Sequence, residues 1–166
     1  HLVTMMVAVQ TAKSHLPADY KAELDGQFKP GILNTVVFLV SSVQQVTVFF
    51  VNIQGRPFMT GISENTPLLW SLVGTFILTF MFASESVPSM NRYFQLVSFP
   101  DDGFRDFILA LLAMDLLGTF VLDRIMKFVF AREILIAGIR GTRGKDLWSL
   151  VKTFAIVGFL MFQFLG

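Results

Sequence analysis

Four long apolar segments with hardly any charge dominate the sequence. They are residues 31–51, 67–83, 104–122 and 147–165, each 17 to 21 residues long. A helix needs about 20 mostly apolar residues to cross the roughly 30 Å hydrocarbon core of a bilayer. Backbone groups in lipid must be satisfied internally, so only helices or closed barrels can span it. Because the alternating pattern of a barrel is not present, the sequence predicts an all-α, polytopic transmembrane helical bundle.

Composition agrees with a membrane protein. Hydrophobic residues make up 54% of the 166 residues and charged residues only 15%, and the mean hydropathy is +0.64. A soluble domain of this size would expose large apolar patches, so we expect the lipid bilayer as a partner. The net charge of +1 provides no basic field for nucleic acid.

The two ends of the chain are interpreted separately. Because the first residue is His1 rather than Met, we expect a processed or partial chain, with residues 1–12 as the end of a helix that starts upstream. Residues 1–130 are predicted to form the end of this helix plus three spans. Residues 131–166 are predicted to be a basic linker and an additional apolar helix.

Loop charges predict the orientation. Loops 13–30 and 84–103 carry four Lys and Arg residues, whereas loops 52–66 and 123–146 carry seven. By the positive-inside rule the second pair lies in the cytosol. Asp123, Arg124 and Lys127 are interpreted there as a solvated helix end.

Four polar residues are candidates for function. Asp115 lies inside the third apolar segment, where an ionisable group is costly and suggests a functional site; packing against a neighbouring helix is the commoner explanation. Gln44 and Gln45 either line a polar cavity or form interhelical hydrogen bonds. Glu85 is interpreted as a solvated carboxylate at a span end. We find no nucleotide-binding glycine motif, metal-binding His spacing or nucleophile elbow, and predict no catalytic, cofactor-binding or metal-binding residue.

Several ordered blocks, over about residues 1–130, resemble the C-terminal membrane region of P-type ATPases of class V, subtype A. The blocks are Phe28-Lys29-Pro30, Leu33-Asn34-Thr35, Gln44-Gln45-Val46-Thr47-Val48-Phe49, Asn52-Ile53-Gln54-Gly55-Arg56-Pro57-Phe58-Met59, Glu64-Asn65-Thr66-Pro67-Leu68, Leu96-Val97, Met114-Asp115-Leu116-Leu117-Gly118, Asp123-Arg124 and Lys127-Phe128. The most specific part is Gly55-Arg56-Pro57-Phe58-Met59 with the following Glu64-Asn65-Thr66-Pro67-Leu68.

The resemblance implies that residues 1–12 end the seventh membrane helix of the parent. The first three apolar segments would be the eighth, ninth and tenth helices. It also implies an endoplasmic reticulum pump that uses ATP and magnesium, through an aspartyl-phosphate, to remove mis-inserted transmembrane helices. The catalytic domains would lie outside this chain, which would need no cofactor of its own. Implied partners are the other domains of the parent and transmembrane-helix substrates, with residues 67–83 forming one wall of a laterally open substrate cavity.

Other interpretations stay open at this point. The chain could be a non-enzymatic multispan scaffold or assembly subunit that shares these short blocks. It could also come from a subtype B pump, which moves polyamines or cations. Residues 132–166 depart from the family pattern, which usually ends in a short polar tail.

Overall fold

The computed structural model describes residues 1–17, 29–53, 58–62 and 64–141, followed by positions 144, 148, 151–153, 155, 156 and 159. Its elements, all helical within these residues, are α1 (Leu2–Ser14), α2 (Ile32–Asn52), α3 (Thr66–Ala83), α4 (Pro88–Tyr93), α5 (Asp102–Phe130) and α6 (Arg132–Gly141). This confirms the predicted all-α class.

Local sequence explains where α3 and α5 begin. The Asn65 side chain accepts a hydrogen bond from the backbone N–H of Leu68 (3.3 Å), and Pro67 lies in the first turn. In α5 the Asp101 carboxylate accepts from the backbone N–H of Phe104 (2.7 Å). Asn and Asp are preferred helix caps because they satisfy N–H groups that lack a partner in the first turn.

Helix α2 is the centre of the bundle and packs against α1, α3 and α5. Small side chains on α1, Ala8 and Ala12, are fully buried and allow close helix approach, as is common in membrane bundles. The core brings together residues from four helices: Ala8, Ala12, Val36, Leu39, Val40, Val43, Phe82, Ala83, Phe104, Ile108 and Leu112.

The first two predicted spans match α2 and α3 to within one residue at each end. Both helices have the length and apolar composition to cross a membrane. The third predicted span, residues 104–122, is shorter than the helix found, because α5 continues for eight more residues to Phe130. At 1.5 Å per residue, its 29 residues extend about 43 Å, which exceeds the apolar core of a bilayer. That α5 crosses the membrane stays a prediction.

The predicted loop 84–103 contains α4 and is tied to the bundle. Asn91 Nδ2 donates to the backbone carbonyl of Phe82 (3.0 Å), and the backbone N–H of Val97 donates to Thr35 Oγ1 (2.9 Å). The first bond ties α4 to the last turn of α3, and the second holds the α3–α5 connection against the first turn of α2.

The C-terminal predictions are tested only in part. The first stretch of the predicted linker is helical in the structure, as α6. The predicted apolar span at residues 147–165 falls largely outside the described residues, so its crossing of the bilayer stays a prediction.

Candidate functional site

Three helices bring polar groups to the same depth in the bundle. His1 lies thirteen residues before the end of α1, Gln44 twelve residues after the start of α2, and Asp115 thirteen residues after the start of α5. The end of α1 and the start of α5 lie on one side, because the rings of His15 and Phe104 are 4.7 Å apart. The start of α2 lies on the same side, because the N–H of Val97, in the loop before α5, donates to Thr35 Oγ1 (2.9 Å). Each polar residue is therefore about 18–20 Å along its helix from that side.

Asp115 is buried and paired with His1. The residue is 5% exposed, and its Oδ2 lies 2.8 Å from His1 Nδ1. Which of these two atoms donates depends on the tautomer of the imidazole. Within the described residues the second oxygen, Oδ1, has no hydrogen-bond partner. A buried oxygen without a hydrogen-bond partner lowers the stability of the fold, so the bond to His1 compensates for only part of the cost of burying Asp115.

Gln44 completes the cluster. Its Nε2 donates to the backbone carbonyl of His1 (2.9 Å), and the same carbonyl accepts the first helical bond of α1, from the N–H of Met5 (2.9 Å). Gln44 therefore joins α2 to α1, while the His1 side chain joins α1 to α5. We call Gln44, His1 and Asp115 the mid-bundle polar cluster.

The four sequence candidates fall in different places. The structure brings Gln44 and Asp115 together through His1, in line with the expectation of interhelical bonding. Gln45 is exposed on the outer face of α2 and is not part of the cluster. Glu85 is half-buried rather than fully solvated, because its Oε1 accepts from the backbone N–H of Phe99 (3.0 Å).

Sequence reasoning missed His1, which it placed at the chain margin. No local pattern marks a histidine as the partner of a residue 114 positions away. Counting residues from the shared side of antiparallel helices would have placed it level with Asp115.

Lys127 is a second residue whose contacts were missed. Its Nζ donates to the backbone carbonyl of Val51 (3.1 Å), in the last turn of α2, and to Asp123 Oδ2 (2.8 Å). A cation is favourable at a helix C-terminus, where carbonyls lack helical partners. The residue predicted to lie at a solvated helix end therefore joins α5 to α2.

Within the described ranges, no group of three or more His, Asp or Glu residues could hold a metal ion. The mid-bundle polar cluster supplies one hydrogen-bonded acid–imidazole pair and one amide. Its chemistry is that of a polar contact between helices.

No protein-family profile matches the sequence. The chain is 30% identical over 131 residues to an endoplasmic reticulum transmembrane helix translocase of Aspergillus fumigatus, covering 79% of this chain and 10% of the relative. The translocase of the same name from Saccharomyces cerevisiae is 31% identical over 130 residues, covering 78% and 11%.

A third relative is a probable manganese-transporting ATPase of Arabidopsis thaliana, 31% identical over 134 residues, covering 81% of this chain and 11% of the relative. The chain thus spans about a tenth of the length of these relatives. The fungal names, together with the two span-length helices, place it in the endoplasmic reticulum membrane. The resemblance to the C-terminal membrane region of class V, subtype A P-type ATPases is thereby confirmed: about four fifths of the chain is similar to one segment of relatives that are named endoplasmic reticulum transmembrane helix translocases or a probable manganese-transporting ATPase.

Proposed function

We propose that this chain supplies C-terminal support helices to an ATP-driven pump that extracts mis-inserted transmembrane helices from the endoplasmic reticulum membrane. The fungal relatives are named endoplasmic reticulum transmembrane helix translocases, and the specific block at residues 55–59 supports the same family. ATP and magnesium would be used by domains outside this chain. We assign no catalytic, cofactor-binding or metal-binding residue to it.

The observation that carries the support role is the mid-bundle polar cluster. Lipid gives helices no hydrophobic drive to associate, so interhelical packing and hydrogen bonds fix their arrangement. Bonds from His1 to both Gln44 and Asp115 hold α1, α2 and α5 at one relative height. A group of helices fixed in this way gives the moving helices of a pump a stationary surface.

Helix α3 is the helix for which the family resemblance implies contact with the substrate. Only 33% of the most apolar 18-residue stretch of α3 is buried, against 44% for the corresponding stretch of α2. The side chains of Trp70 and Leu78 on α3 are exposed. An exposed apolar helix beside a fixed bundle suits one wall of a laterally open cavity. This supports the proposal that substrate helices pass along α3.

Two other functions are separable by experiment. Manganese transport is the first alternative, because the Arabidopsis relative is named a probable manganese-transporting ATPase. A non-enzymatic scaffold is not favoured, because the relatives are named as a translocase or an ATPase.

The test uses the full-length protein in proteoliposomes. We expect vanadate-sensitive ATP hydrolysis to rise with a hydrophobic helix client in the bilayer, and the client to be released. Stimulation by manganese, with uptake of the ion and no client release, would establish the second function. Absence of vanadate-sensitive hydrolysis under both conditions would contradict a pump of either kind.

A further inference from the structure

An apolar pocket lies between α2, α3 and α5, on the side of the bundle away from the His15–Phe104 contact. Its volume is about 240 Å³ and it is partly enclosed. The residues that line it include Phe50, Val51, Val73, Phe76, Leu117 and Phe120. Thr47 also lines it, but its hydroxyl donates to the carbonyl of Val43 (2.8 Å), so the pocket presents a hydrocarbon surface.

Two residues that line the pocket on α5, Leu117 and Phe120, are 63% and 44% exposed. If α5 crosses the bilayer as predicted, acyl chains can reach the pocket there without crossing a polar barrier. An apolar pocket of this kind suits a hydrocarbon chain, since apolar walls offer nothing to a polar ligand.

Two basic side chains, Arg124 and Lys127, lie at the end of the pocket nearest the C-terminal part of α5. Arg124 is one helical turn after Phe120, about 6 Å along the axis, and its Cζ lies 4.8 Å from the centre of that ring. Lys127 donates to the carbonyl of Val51. Both basic residues therefore touch residues that line the pocket.

The charges at this rim do not cancel. Asp123 is held by Lys127 at 2.8 Å, whereas Arg124 Nε is 3.9 Å from the same carboxylate. The Arg124 side chain is 43% exposed. The three groups sum to one positive charge, and a guanidinium can bind a phosphate through two parallel hydrogen bonds.

We propose that this pocket binds an anionic phospholipid of the cytosolic leaflet, with one acyl chain between α2, α3 and α5 and the phosphate at Arg124. The loop charges independently predict that this end faces the cytosol. Basic pockets between transmembrane helices on the cytosolic side are suited to anionic headgroups. The inference rests only on a membrane location, and holds whatever the pump carries.

The test is photo-crosslinking in vesicles. Full-length protein is reconstituted in phosphatidylcholine vesicles that contain a minor fraction of phosphatidylserine with a mid-chain diazirine. Adducts are mapped by mass spectrometry. We expect them in peptides with residues 47–51, 73–76 or 116–120, and we expect excess unlabelled phosphatidylserine to suppress them.

Two pairs of variants separate headgroup recognition from pocket shape. Arg124→Gln should lower the adduct yield roughly fivefold. Arg132→Gln, whose guanidinium lies 5.7 Å from the Phe128 ring, should leave the yield unchanged. Val73→Phe should fill the pocket and abolish the adducts, unlike Leu78→Phe on the exposed face of α3. Leu117→Trp is a second filling variant at an exposed residue, where the risk to folding is smaller.

Equal labelling by a diazirine phosphatidylcholine probe would overturn the proposed headgroup preference. Unchanged labelling in Leu117→Trp, with normal monodisperse elution, would overturn the pocket assignment. Neither result depends on ATP hydrolysis or client release, so a failure here is distinguishable from a failure of the proposed function.

Discussion

The imidazole of His1 and the carboxylate of Asp115 are 114 positions apart in the chain and 2.8 Å apart in the bundle. The Asp115 side chain is 1% exposed and that of His1 28%, so the pair lies at an edge of the core that water or lipid can still reach. We expect its strength to resemble measured membrane hydrogen bonds more than a fully buried ion pair.

A double-mutant cycle measures this contact. We expect a coupling free energy between His1→Leu and Asp115→Leu of about 0.6 kcal/mol, and at most about 1.7 kcal/mol, which are the average and the maximum for interhelical hydrogen bonds measured in a membrane protein. The measurement is unfolding of the full-length protein in detergent. Asp106→Leu, at an exposed carboxylate on the same helix, paired with His1→Leu is the control and should show no coupling. Additive effects of the two mutations at His1 and Asp115 would contradict the contact.

Adjacent glutamines on α2 provide a matched pair. Gln44→Leu removes the bond to the His1 carbonyl and should lower the free energy of unfolding by about 1 kcal/mol. Gln45→Leu makes the same chemical change at an exposed position and should have no destabilising effect. Thermal unfolding of both variants checks the order, and equal losses would place Gln44 outside the cluster.

Lys127 is expected to stabilise the junction of α2 and α5. Lys127→Met removes the bonds to Val51 and Asp123, and leaves the half-buried carboxylate of Asp123 with only the longer contact to Arg124 (3.9 Å). We expect a loss of about 1.5–3 kcal/mol, the range of hydrogen bonds to charged groups. The double variant Lys127→Met, Asp123→Leu should recover part of the loss. No recovery would mean that the contact with the α2 terminus dominates.

Length and hydropathy suffice to predict α2 and α3, whose ends follow from apolar runs that begin beside a proline and end in polar residues. The end of α5 was not predicted, because Asp123 and Lys127 pair across one helical turn and allow the helix to continue. His1 was also missed, because the partner of a buried polar group depends on how separate helices pack.

The turn after α4 offers a prediction of increased stability. The N–H of Leu96 donates to the carbonyl of Asn91 (2.8 Å) and that of Gln95 to the carbonyl of Arg92 (3.1 Å), with Gln95 at φ 56°. This is the Schellman ending of a helix, in which glycine is the usual residue at the left-handed position.

Glycine should therefore suit that position better than glutamine. Gln95→Gly removes a left-handed strain of about 1–2 kcal/mol but adds about 0.5–1 kcal/mol of backbone entropy in the unfolded chain. The net result should be a protein that is more stable by about 0.5–1 kcal/mol. Glu85 has the same φ of 56°, but Glu85→Gly also deletes the bond to Phe99 and should gain little or nothing. Thermal unfolding of the two variants compares them directly. A loss of stability in Gln95→Gly would show that its side chain contributes more to the turn than the backbone geometry indicates.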